Sequence, residues 1–175
     1  MTKKLLGAIT VTFLLLHINT SVKAQDYRQL NVSDFKSLPD LNRSFAAFIF
    51  WEVHYKYTFF HPAKKLELAV GLHFMHDKSW FLTDRLSEEQ VNHLLNHEQM
   101  HFAIGEMMKR EVKKTLSNFK YSKNFRTEID SLFKLTNVKY RQLDQQYDRE
   151  TNHSRDTVSQ KRWDAYIKSN LELLE

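Results

Sequence analysis

The hydrophobic period of this chain changes once, at Ser87, and that change limits the folds open to it. Before it, Trp51, Val53, Tyr55 and Tyr57 alternate with Glu52, His54 and Lys56, the two-residue period of a half-buried strand. His61-Pro62 ends that segment, and Leu66, Leu68, Val70, Leu72 and Phe74 repeat the alternation as a second strand reaching Met75. His76-Asp77-Lys78 marks a turn, and Ser79–Thr83 offers a third short strand. After the change, Ser87-Glu88-Glu89-Gln90 reads as a capping box that opens a helix. Val91, Leu94, Leu95, Ile104, Met107, Met108 and Val112 then follow at helical spacing, to about Leu116. A second helix is expected from about Thr127 to Tyr147, a polar interruption over 148–156, and a last helix from about Thr157 to Leu174. Strands first and helices after define an α+β domain, a small antiparallel or mixed sheet followed by about three helices.

The ends and the charge narrow the class further. Lys3-Lys4, an apolar run from Leu5 to Leu16 and Val22-Lys23-Ala24 read as a signal peptide over residues 1–24. The run is too short to span a bilayer, so the expected product is secreted or periplasmic, one domain over 25–175 without stable membrane insertion. Removing residues 1–24 takes away three lysines and lowers the net charge from +5 to +2, so the high isoelectric point owes much to the signal. Residues 25–43 are polar and hold a turn at Ser37-Leu38-Pro39-Asp40, with a short strand expected ahead of it. The basic stretch from Lys109 to Lys123 carries no nucleic-acid motif and reads as a solvated helix face, so no nucleic-acid partner is expected. Absence of cysteine excludes disulfides, thiolate metal sites and a cysteine nucleophile.

Chemistry concentrates in Leu94–Phe102, "LLNHEQMHF". His97 and His101 are four residues apart, so on a helix both imidazoles reach one ion, and zinc accepts neutral histidine nitrogen. Glu98, rotated off that face, can act as general base on a water at the ion and then as acid toward the leaving amine. The third ligand is expected in "YDRETNH", residues 147–153. His153 is favoured, Glu150 is the alternative, and Asp148 is read as a carboxylate orienting a ligating imidazole. Tyr147 is a candidate hydrogen-bond donor to an oxyanion, or else the last core residue of its helix. Glu106 falls on the far side of the first helix, and His93 is a supporting or exposed residue one turn before His97.

Together, "LLNHEQMHF", "YDRETNH", "QKRW" at Gln160–Trp163 and "SWF" at Ser79–Phe81 resemble a bacterial family of predicted secreted zinc-dependent proteases, long catalogued as a domain of unknown function. The resemblance covers roughly Trp51 to Trp163. It implies a zincin-like fold, zinc on His97, His101 and His153, Glu98 as catalytic base, and an edge strand from residues 65–83 pairing with a peptide or protein substrate. Ser154 departs from the family pattern, where glycine is expected after the histidine. The leading expectation is a zinc metallopeptidase; the alternative is a non-catalytic zinc-binding or partner-binding protein of the envelope.

Overall fold

The computed structural model describes residues 27–60, 65–84 and 86–174. The signal expected at 1–24 and the break expected at His61-Pro62 lie outside these residues. Four strands come first, β1 (Ala47–Phe48), β2 (Trp51–Phe60), β3 (Lys65–Phe74) and β4 (Trp80–Phe81). Three helices follow, α1 (Glu88–Asn118), α2 (Phe125–Thr151) and α3 (Thr157–Leu173). The α+β expectation is met, with small antiparallel sheets and three helices.

The strands form one long hairpin, interrupted once. β2 pairs antiparallel with β3 from Trp51 opposite Phe74 to Phe60 opposite Lys65, and β1 continues it by pairing with β4. Between the two ladders one strand spends residues 49–50 and the other residues 75–79, which include a 3-10 turn at His76–Lys78. Ser79, fully buried, bridges the mismatch: its hydroxyl accepts from Phe50 N at 2.9 Å and donates to Met75 O at 2.8 Å. A hydroxyl therefore supplies the ladder bonds that the backbone cannot reach. The N-terminal segment lies against this excursion, Lys36 N on His76 O and Ser37 N on Ser79 O. Among the described residues the short strand expected before the turn is absent; residues 27–31 have no regular structure, and a 3-10 turn spans Val32–Asp34.

Helix α1 begins as the capping box requires, with Ser87 Oγ accepting from Gln90 N and Gln90 Oε1 accepting from Ser87 N. Every residue from His97 to Met108 is buried, so its central turns are covered on all sides by β2, β3, α2 and α3. An apolar helix in that position would need no explanation. Here polar residues share the burial, and each has partners: Gln99 clamps the N-terminal segment through Leu30 N and Arg28 O, and Glu106 pairs with Lys109 and Arg110. As expected, Glu106 stands apart from the His97 face.

Close approach of α1 to the hairpin depends on Gly105. A Cβ there would lie 2.9 Å from Leu72 Cδ1 and 3.0 Å from the Trp51 ring. Gly105→Ala is expected to destabilise the protein by about 1–2 kcal/mol, because overpacking outweighs alanine's helix preference. A lower denaturation midpoint with unchanged m-value would register it.

Candidate metal centre

Helix α2 continues through Thr151, four residues beyond the expected end at Tyr147. Asp144 and Asp148 therefore stand one turn apart on the same helical face, turned toward α1. Asp148 Oδ1 lies 3.2 Å from His97 Nε2 and 3.1 Å from His101 Nε2, and the two Nε2 atoms are 3.2 Å apart. Four ligands at 2.0–2.1 Å around a tetrahedral ion stand about 3.3–3.4 Å from one another. The triangle of donor atoms is within about 0.3 Å of one face of that tetrahedron, and His97, His101 and Asp148 form a group able to hold a metal ion.

The outer nitrogens fix what the inner ones offer. Gln160, buried in α3, gives its amide hydrogens to Tyr147 Oη and Asp164 Oδ1, so its Oε1 accepts from His97 Nδ1 at 3.0 Å. His101 Nδ1 donates to Asp144 Oδ1 at 2.7 Å. With both Nδ1 atoms committed as donors, each neutral imidazole presents a lone pair at Nε2, and three electron-pair donors converge on one point. Such a triangle is stable only around a cation, a proton or a metal. Burial works against a charged His101, but Asp144 and Asp148 hold its pKa well above the ordinary value. For His97 burial dominates and lowers it. Burial also opposes the Asp148 charge, yet the two imidazoles that face it, His101 foremost, keep that carboxyl far below the usual range.

Glu98 lines the same cavity of about 260 Å³, with Phe45, Ile49, His97, His101 and Asp148. Burial raises its carboxyl to about 7, the charge of His101 opposing and those of Asp148 and Asp144 adding, while Ile49 N–H donates to it. A carboxyl poised there can take up and release a proton near neutral pH.

Several expectations need correction. Asp148, read from the sequence as a supporting carboxylate, occupies the triangle itself. His153 sits one contact outside it, its Nδ1 3.2 Å from Asp148 Oδ1. Glu150 is turned away, accepting from Gln146, Arg162 and Trp163 Nε1, and does not reach the site. Tyr147 is not free to serve an oxyanion, because its fully buried hydroxyl donates to His97 O at 3.2 Å and accepts from Gln160. Its ring is a platform, stacked on His97 with a centroid separation of 4.7 Å and edge-on to His101. The strand beside the cavity is β1 with the preceding residues, Arg43 to Ile49, and not residues 65–83. Asp144 and Gln160 escaped the sequence reading, although Asp144 gives a signal, a carboxylate one turn from Tyr140 and from Asp148 within an apolar stripe.

The loop carrying His153 is a left-handed turn, with φ of 49° at Asn152, 50° at His153 and 70° at Ser154. The last value is one that glycine adopts without strain and serine does not. Phe45 stacks between His153 and Trp80, at 5.3 Å and 5.7 Å, and His93 Nε2 reaches Ser154 O at 2.6 Å. The loop is thus held from β4 and from α1.

Fold and site define an α+β protein with two buried histidines and a half-buried aspartate grouped beside a buried glutamate. Residues 27–154 match the bacterial family of proteins of unknown function DUF922, and the chain belongs to that family. No curated protein and no solved structure matches it.

Ser154→Gly is expected to stabilise the fold by up to about 1 kcal/mol, since relief of the left-handed serine exceeds glycine's extra chain entropy. Chemical denaturation measures it, and a loss of stability would contradict this account of the turn.

Proposed function

We propose that the protein is a zincin-like, zinc-dependent peptidase. One observation carries this reading: three electron-pair donors converge at 3.1–3.2 Å in a cavity that also holds the buried Glu98 carboxyl. Nitrogen and oxygen donors in tetrahedral disposition suit zinc. His97, His101 and Asp148 would hold the ion, which when bound supplies Lewis acidity toward a carbonyl and lowers the pKa of water.

The remaining work falls to the chain. Glu98, held by Ile49 N–H, takes the proton from the attacking water and passes it to the departing amine. Leu82 N donates to Ala46 O, so Ala46 and Phe48 face β4 and the backbone N–H and C=O of Ala47 point to the opposite edge. That edge is open to an extended peptide, which would add as a strand along the cavity. Tyr147 and Gln160 keep the His97 ring oriented, and Asp144 does the same for His101.

A second reading has its own support. If His153 swings inward from its contact with Asp148, four protein ligands would close the site, as in structural zinc centres. The protein would then bind metal without turnover.

Zinc at a hundredfold excess over its dissociation constant is expected to stabilise the protein by about 2.7 kcal/mol. His97→Ala, His101→Ala and Asp148→Ala should abolish the shift in melting temperature, and Glu150→Ala should leave it. An unchanged shift in Asp148→Ala would remove Asp148 from the ligand set. For catalysis, Glu98→Gln is expected to retain zinc and lose hydrolysis of a mixed peptide library by at least about a hundredfold, the scale of general-base catalysis. Undiminished cleavage by that variant would refute the mechanism; zinc bound with no cleavage by the wild type would favour the closed site.

A further inference from the structure

The far end of α1 carries a feature that the metal centre does not use. From His97 to Leu116 the helix rises about 28 Å. There the distal half of the β2–β3 hairpin and the α1–α2 connection enclose a groove of about 1070 Å³, walled by Tyr57, Phe59, Leu66, Leu68, Phe119 and Phe125. The wall is pre-built: Phe59 stacks on Phe125 at 4.9 Å and Tyr57 meets Phe125 edge-on at 6.0 Å. Phe119 in this wall remains 39% exposed.

The rim is basic. No aspartate or glutamate occurs between Val112 and Thr127, whereas Lys113, Lys114, Lys120, Lys123 and Arg126 do. All five are exposed, and among the described residues none is ion-paired. Lys113 and Lys114 in the last turns of α1 complement that helix's dipole. The same account fails for Lys123 and Arg126, which flank the N-terminus of α2, where a cation is unfavourable. Both line the groove. Three cations past the end of α1 therefore suit something outside the fold, an anionic surface.

We propose that this end of the molecule docks on an anionic membrane surface, with Phe119 entering the headgroup boundary and Lys120, Lys123 and Arg126 meeting lipid phosphates. Aromatic rings beside lysine and arginine stems match the layered polarity of a bilayer interface. A second copy of the chain is a poor occupant, because a two-fold contact would set one basic rim against the other. No described helix is long and apolar enough to cross a membrane. The attachment would hold the metal centre away from the lipid and does not depend on the chemistry at that centre.

Co-sedimentation with vesicles tests it, comparing pure phosphatidylcholine with vesicles containing about one third phosphatidylglycerol, at low and high salt. Wild-type protein is expected to bind only the anionic vesicles, and less at high salt. The triple variant Lys120→Gln, Lys123→Gln, Arg126→Gln should lose at least about tenfold in partitioning, at roughly 1 kcal/mol for each cation near the surface. Phe119→Ser should also weaken binding while keeping the wild-type melting temperature. Equal binding to neutral vesicles, or an unaffected triple variant, would overturn the proposal. So would vesicle binding indifferent to Phe119→Ser but displaced by soluble polyglutamate, which assigns the face to an acidic protein. A concentration-dependent dimer lost in the triple variant would overturn it in favour of a second copy.

Discussion

Burial of α1 around its whole circumference is the constraint on which the rest depends. From His97 to Met108 the helix meets neighbours on every side, so no polar side chain there can turn to water. An unsatisfied buried polar group costs about 1–3 kcal/mol, and five polar residues occupy these turns: His97, Glu98, Gln99, His101 and Glu106. Each is consequently fixed by a partner, from another element for all but Glu106, which pairs with Lys109 and Arg110 of α1 itself. Gln99 holds the N-terminal segment, His97 holds α3 through Gln160, and His101 holds α2 through Asp144. Among the described residues no buried side-chain nitrogen or oxygen lacks a hydrogen bond.

The same constraint orients the donor triangle. Because Gln160 and Asp144 occupy the outer nitrogens, the inner nitrogens are turned toward Asp148, and the ring of Tyr147 closes the remaining side of His97. The geometry is preorganised by neutral and charged hydrogen bonds that exist before any ion binds. Such outer partners commonly account for tenfold to a hundredfold in metal affinity. A site on a buried helix supported by two others is also more rigid than one on loops.

The interrupted hairpin explains why sequence blocks far apart belong together. Ser79 mends the ladder where it breaks, and the break lets Ile49 N–H turn to Glu98. Trp80, next in the chain, carries Phe45 and through it His153. "SWF" and "YDRETNH" thus meet in one aromatic stack beside the cavity, a contact that spacing along the chain does not reveal.

Periodicity and one capping box gave most of the elements, alternation β2 and β3, the box the start of α1 and helical spacing α2 and α3, but not β1 or the break at residues 49–50. Periodicity also placed His97 and His101 on one face and Glu98 beside them, because those relations are local to one helix. Its error was to end α2 at Tyr147, where the residues turn polar, which moved Asp148 off the helix; the sequence favours His153 because imidazole is the commoner ligand. Only the tertiary structure brought Asp148 and Asp144 across to α1, turned Glu150 outward and closed Tyr147 in. Those outcomes depend on which face of α2 meets α1, and polarity in one chain cannot distinguish a carboxylate turned to water from one turned to a buried imidazole.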